Sequence, residues 1–207
     1  TDYMSVDELR ALQLKKLQTL IPYEYERVPL FRRRCDEAGV KPRDLVELKD
    51  LAKFPFMKKT DLRDEYPLGL TAAPMSEINR CHCSSGTTGK PICIPQTAGD
   101  VAIWTEGVAR CMAMYGITRD DVVQVSYGYG LFTGGLGAHY GAEKLGCAVL
   151  PTGAGNTEKQ IMLMKDLGVT VICCTPSYFL HLATVAEKMG VDFRRDTKLK
   201  HGVFGAE

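Results

Sequence analysis

Apolar positions along the chain change their spacing from one stretch to the next. Up to about residue 70 they recur at helical intervals, in runs broken by proline. Leu9, Leu12, Leu14, Leu17 and Leu20 come after Ser5-Val-Asp-Glu8. In that S-x-x-E form a serine caps the helix and the glutamate reaches back to the serine amide. A first helix is therefore predicted. A second runs from Phe31 to Ala38 and stops at Gly39, and Pro42, Pro55 and Pro67 punctuate the stretch after it. Short helices are expected between Asp44 and Lys53 and between Thr60 and Glu65. Two strand-like runs, Ile78–Cys83 and Ile92–Pro95, then flank a loop. Pro95 has no amide hydrogen, so it should end the second run or place it at an edge.

Thr97 to Asp100 reads as another helix start, for a helix from Ala98 to Tyr115 that ends at Gly116. From residue 120 short apolar runs alternate with amphipathic ones. The predicted strands are Val122–Ser126, Cys147–Leu150, Thr170–Cys174 and Leu199–Phe204. Between them lie a helix ending at Gly146, one capped by Asn156-Thr157 and ending near Gly168, and one opened by Thr175-Pro176. The last of these carries Phe179, Leu182, Ala183, Ala186 and Met189 on one face and ends at Gly190. Alternating short strands and helices give an α/β fold class: βαβ units, a parallel sheet, helices on both faces and right-handed crossovers. Residues 1–76 form a helical N-terminal segment, and 77–207 an α/β domain that is incomplete at its C-terminal end. A sheet stopping after the fourth strand would leave an unpaired edge, so the natural protein is expected to continue past Glu207. Such an edge would also permit self-association, and with it a homodimer.

Composition narrows the classes. Hydrophobic residues make up 45% and charged residues 25%, with a formal net charge of +1. This is the balance of an ordinary globular domain. It gives no electrostatic footprint for nucleic acid, and Arg32-Arg33-Arg34 reads as a solvated helix face. No apolar run reaches the ~20 residues of a membrane span, and no signal peptide is visible. The eight cysteines sit in apolar runs, so reduced thiols and a cytoplasmic location are expected. Cys81-His82-Cys83 invites a metal reading, but neighbouring strand residues point to opposite faces. These three residues should not converge on one ion, and no structural metal is expected at this cluster.

The densest chemistry lies in Ser84-Ser85-Gly86-Thr87-Thr88-Gly89-Lys90-Pro91. Glycines let the backbone approach a ligand and offer its N–H groups, hydroxyls add donors, and the lysine adds charge. Such a loop suits a polyphosphate; the alternative is a plain Ser/Thr/Gly turn. It is not a G-x-x-x-x-G-K-[ST] loop, because Ser84 stands at the first glycine position and Pro91 comes after the lysine. A second constellation runs from Tyr127 to Gly135, where the strand at 122–126 ends. Ligands of open parallel sheets bind at the carboxyl ends of strands. Three aromatics among glycines there would wall an aryl slot, or else pack into the core. Thr175-Pro-Ser-Tyr178 and Gly205-Ala206-Glu207 occupy equivalent strand ends. No paired carboxylates are identifiable, and His82, His139, His181 and His201 lack triad partners.

These stretches, with Val28-Pro-Leu-Phe31, Leu51 to Phe56, Lys59 to Arg63 and Phe204 to Glu207, resemble the adenylate-forming superfamily, and within it the phenylacetate–coenzyme A ligase family. The resemblance implies a large N-terminal domain of such an enzyme. It implies ATP-dependent formation of an acyl-adenylate from an aryl acid, then transfer to coenzyme A, with Mg²⁺ accompanying the nucleotide. By position, Ser84, Ser85, Gly86, Thr87, Thr88, Gly89 and Lys90 would hold the ATP phosphates. Tyr127, Phe132 and Gly134 would line the acyl pocket, and Gly205, Ala206 and Glu207 would border nucleotide and acyl group. The resemblance places the main catalytic residues beyond Glu207, so this polypeptide alone is expected to be inactive. Another aryl acid, or a non-catalytic nucleotide-binding module, are the alternatives.

Overall fold

In the computed structural model, residues 3–84 and 90–206 are described. The chain divides into two compact units, residues 1–97 and 98–207.

The first unit opens with α1 (Val6–Arg27) and α2 (Pro29–Glu37). The Ser5 amide donates to Glu8 Oε2 at 2.8 Å, and the Glu8 amide donates to Ser5 Oγ at 3.3 Å. The reciprocal cap read from the sequence is therefore formed. Ile21, Cys35, Val40, Leu45 and Phe54 make the core, with Leu14 and Leu17 packed on it. Leu9 and Leu20 are exposed. The middle and C-terminal part of α1 meet α2: Leu14, Leu17, Ile21 and Tyr25 join the core, and the Tyr25 hydroxyl donates to Asp36 at 2.6 Å. Two 3₁₀ turns, Pro42–Asp44 and Leu48–Lys53, and the short α3 (Lys59–Asp64) come next. An aspartate staples each. Asp44, Asp50 and Asp61 accept from the amides of Lys41, Glu47 and Lys58 at 2.7, 2.9 and 2.6 Å. Arg34 donates to both oxygens of Asp61, at 2.6 and 2.8 Å. The guanidinium and the Lys58 amide hold that carboxyl well below its usual range, at about 2.

The unit closes with an antiparallel hairpin, β1 (Ile78–Cys83) and β2 (Cys93–Thr97). Strand β2 runs through Pro95, which pairs with Cys81, and does not stop there. In a two-stranded ribbon both strands are edges, so a missing amide on the outer side breaks no pairing.

The second unit begins with α4 (Ala98–Met114). It continues with β3 (Val122–Val125), α5 (Gly134–Leu145), β4 (Ala148–Leu150), α6 (Thr157–Asp166) and β5 (Val171–Cys174). Helix α7 (Pro176–Lys188), the short α8 (Phe193–Asp196) and β6 (His201–Phe204) complete it. All strand pairs are parallel, in the order β4-β3-β5-β6. Alternate residues serve opposite faces. Val123, Val125, Val171 and Cys173 join Met112, Ala138 and Ala142 from α4 and α5. Ile172 and Cys174 join Ile161, Met164, Leu182 and Ala186 from α6 and α7. Burying each valine, isoleucine, leucine or methionine among them contributes about 1.5–3 kcal/mol.

Two local expectations are corrected in this unit. Ala183 and Met189 of α7 are exposed, and the buried stripe is Phe179, Leu182, Val185 and Ala186. That set keeps i, i+3, i+6, i+7 spacing, whereas Met189 falls past the end of the helix. Asn156 precedes α6 in the left-handed region, with φ +49°, and its side chain makes no cap hydrogen bond. Asparagine tolerates that conformation better than most residues, so it serves as a bend and not as a cap.

Candidate functional site

The strand order places a switch point in the second unit. The chain leaves β3 for β4 on one side, returns past β3 to β5, and goes on to β6 on the other side. Helix α5 covers one face, while α6 and α7 cover the other. A crevice therefore opens beyond the carboxyl ends of β3 and β5, the usual ligand position in such sheets.

A cavity of about 330 Å³ lies there, lined by Trp104, Tyr127, Phe132, Gly134, Val203 and Ala206 among others. Its size and apolar wall suit a small aromatic ligand. The residues after β3 are locked in place. Tyr127 donates its hydroxyl to the carbonyl of Cys174 at 2.7 Å and sits 3.5 Å from the Gly205 carbonyl. One side chain thus ties together the ends of β3, β5 and β6. Phe132 stands 59% exposed at the mouth. The Tyr129 hydroxyl meets His139 Nδ1 at 3.1 Å, and His139 Nε2 meets Glu143 at 3.1 Å, which holds the loop to α5.

Glycine shapes this wall for a specific reason. A Cβ on Gly135 would come within 2.8 Å of the Gly128 carbonyl oxygen. One on Gly137 would come within 2.6 Å of the Trp104 ring, and one on Gly141 within 2.5 Å of Val108. The α5 helix is thus pressed onto α4 along a glycine face, and that contact positions Trp104 at the cavity. After β6, Gly205 and Ala206 close the rim, with Ala206 at φ +71°. A non-glycine residue in that region costs about 1–2 kcal/mol, and such strain is characteristic of functional sites.

A buried amide network supports the floor on the other side of the sheet. Gln160 of α6 accepts from Gln124 at 3.0 Å and from Ser126 at 2.7 Å. Its own amide donates to the carbonyls of Gly153 and Gly155 at 3.0 and 2.6 Å. The loop after β4 is held by these bonds and by Thr152 Oγ1, which donates to the Val125 carbonyl at 3.0 Å.

In the first unit, the candidate phosphate loop springs from the β1–β2 hairpin. Ser85, Gly86, Thr87, Thr88 and Gly89 lie outside the described residues, as does Glu207. Ser84 and Lys90 are described. The Ser84 amide donates to the Ile92 carbonyl and Ser84 Oγ accepts from the Ile92 amide, both at 2.9 Å. The hydroxyl of Ser84 still has its proton to donate. Lys90 Nζ rests 5.4 Å from the centre of the Tyr66 ring, a cation–π distance.

Of the residues singled out in the sequence, Tyr127, Phe132, Gly134, Gly205 and Ala206 converge on the one cavity. Trp104, Val203 and Gln160 were not singled out. The spacing of Gly134, Gly137 and Gly141 along one helix face was the signal that a bulky partner such as Trp104 packs there.

No family model matches the chain. Among curated proteins it is 53% identical over 203 residues to phenylacetate-coenzyme A ligase of Pseudomonas putida, which is 98% of this chain and 46% of that protein. For the ligase of the same name from Escherichia coli K12 the identity is 49% over the same shares. This chain is a relative of the phenylacetate–coenzyme A ligases. It spans about half the length of the curated relatives it matches. Crystal structures of 2-hydroxyisobutyryl-CoA ligase extend the likeness to the fold. One, in the postadenylation state with 2-HIB-AMP, superposes with a TM-score of 0.88 at 32% identity. It matches 99% of this chain and 44% of that one. Another, an open conformation with 2-HIB-AMP and CoA, gives 0.89 at 33% identity, over 99% and 49% of the respective chains. The α/β architecture with a four-stranded parallel sheet is thus shared with that CoA ligase. No helix among the described residues is long and apolar enough to cross a membrane.

Proposed function

We propose that this chain provides the acid pocket and the phosphate loop of an ATP-dependent aryl-acid–coenzyme A ligase, with phenylacetate as the acid. The observation that carries the reading is the aromatic cavity at the switch point, walled by Tyr127, Phe132 and Trp104. The names of the curated relatives support the choice of acid.

In this reading the aryl ring lies between the cavity's aromatic walls, and its carboxylate points to the rim at Gly205 and Ala206. A carboxylate oxygen attacks the α-phosphorus of ATP; the new O–P bond forms as the bond to pyrophosphate breaks. The thiol of coenzyme A then attacks the acyl carbonyl, loses its proton and expels AMP. The chain's contribution to the first step is orientation, which raises the effective concentration of the carboxylate at the phosphorus. Ser84 and Lys90, with residues 85–89, would hold the phosphates by backbone amides, hydroxyls and one ammonium. Tyr127 cannot drift, because its hydroxyl is anchored to Cys174. Mg²⁺ would arrive with the nucleotide. The lining of the cavity carries no carboxylate among the described residues, so the ion would rest on the nucleotide's phosphate oxygens and on water. Cytoplasmic location is part of the same proposal and rests on eight free cysteines.

The test uses this chain extended to the full length of its curated relatives. Acid-dependent exchange of labelled pyrophosphate into ATP is tracked across a panel of aryl and short aliphatic acids. Exchange is expected to peak with phenylacetate and to fall by about 100-fold or more in Lys90→Ala, the scale of losing one preorganised charge. Folded protein that shows no exchange with any carboxylate would overturn the ligase reading in favour of a nucleotide-binding module.

A further inference from the structure

The hairpin below the phosphate loop carries a second cluster. Cys81 and Cys83 are two apart on β1 and share a face, while His82 is buried on the other. His82 therefore does not join the two thiols on one ion, as its position in the sequence implies. The sequence spacing does not reveal Cys93, which sits directly opposite Cys83 in the antiparallel register. The Sγ atoms of Cys81, Cys83 and Cys93 all lie within 4.8 Å of one another, and those of Cys83 and Cys93 are 3.3 Å apart. A tetrahedral zinc–thiolate site, with Zn–S near 2.3 Å, places its sulfurs about 3.8 Å apart. The observed spacing brackets that value, so small side-chain adjustments would form the site.

We propose that Cys81, Cys83 and Cys93 bind a thiophilic divalent metal ion, of which zinc is the type, at the stem of the phosphate loop. The three sulfurs select such an ion against the hard Mg²⁺ that accompanies nucleotides. Cys81 is exposed and the other two are half-buried, so an ion has a path in and a fourth position is open to water or another donor. Binding exchanges up to three thiol protons for the metal, and the protons leave to solvent. The hydrogen bond with Cys83, then burial, pushes the Cys93 thiol up to about 11, and burial followed by the Cys83 charge raises Cys81. Three crowded thiols resist ionising together unless a cation neutralises them. Cys83 directly precedes Ser84, and Cys93 is the next residue after Ile92, whose amide binds Ser84 Oγ. A metal here clamps both feet of the loop. The sequence-based expectation of no metal is replaced by this proposal, which rests on the hairpin alone and not on the ligase reading.

The test uses the whole chain, reduced and stripped of metal. Co²⁺ is titrated under anaerobic conditions while thiolate-to-cobalt charge transfer is recorded. Saturation at about one Co²⁺ per chain is expected, with the band bleached by Zn²⁺. Cys81→Ser and Cys93→Ser should each weaken binding by about 10-fold or more, while Cys111→Ser, an exposed cysteine on α4, should leave it unchanged. A second measurement guards against misfolded variants: Zn²⁺ should protect three thiols of the unaltered chain from a thiol reagent, reversibly with chelator. No charge-transfer band, a band that persists in both β-strand variants, or no thiol protection would each overturn the proposal.

Discussion

Asp61 is firmly anchored, taking two bonds from Arg34 and one from the Lys58 amide. Its folded-state value of about 2 lies below the ~3.9 of a free aspartate. The sign comes from the depression: the stabilisation is complete above about pH 4 and is lost as the pH falls through 2. Asp61→Asn should therefore lower stability at neutral pH and flatten its decline between those two values. Denaturant midpoints from pH 7 to pH 2 give the check, and a decline as steep as that of the unaltered chain would refute it. At this scale the sequence was legible where chemistry is local. Ser5 and Glu8 are three apart and their reciprocal cap forms. Thr175 caps α7 by accepting from the Tyr178 amide at 3.2 Å. Asn156 was not legible, because an asparagine before a helix serves equally as a cap or a left-handed bend. Cys93 was not legible as a partner of Cys81 and Cys83, since only the hairpin register brings it to them.

Among elements, the packing of α5 on α4 turns a glycine-rich segment into a wall. Two glycines separate the competing effects. Gly107 on α4 has nothing within 4 Å of a built Cβ. Gly107→Ala should then raise stability by about 0.5–1 kcal/mol through helix propensity alone. Gly141→Ala gains the same propensity, but its Cβ would stand 2.5 and 2.9 Å from Val108 side-chain atoms and 3.2 Å from the Ala109 amide. The Val108 γ-methyl can rotate, but the Val108 Cβ and the Ala109 amide are fixed to the backbone and cannot swing aside, and overpacking costs about 1–3 kcal/mol. The clash should win and the melting temperature should fall. Thermal unfolding of the two variants side by side decides it; stabilisation by both would mean that α4 and α5 are not in close contact. Strand and helix alternation was readable from the apolar runs, most clearly for the central strands β3 and β5, which bury both faces. The order β4-β3-β5-β6 was not readable, since nothing in a single strand's sequence records which neighbour it takes. That order creates the switch point, and so the reason for the cavity's place came only with the structure.

At the scale of the molecule, the two units carry different candidate chemistry: a thiol cluster at the stem of the candidate phosphate loop in the first and an aromatic cavity in the second. The residues Tyr127 to Gly135 announced the cavity by their density of rings and glycines, and five of the residues expected around the acyl group border it. The chain's single tryptophan, Trp104, is part of the same wall. Its emission therefore reports on the cavity without a label. The most direct measurement is a titration of this chain with phenylacetate, monitored by Trp104 fluorescence, with acetate as the comparison. A saturable change with phenylacetate, absent with acetate and weakened about 10-fold in Phe132→Ala, is the predicted result. No saturable change, or the same change with acetate, would contradict the assignment of this cavity to an aryl acid.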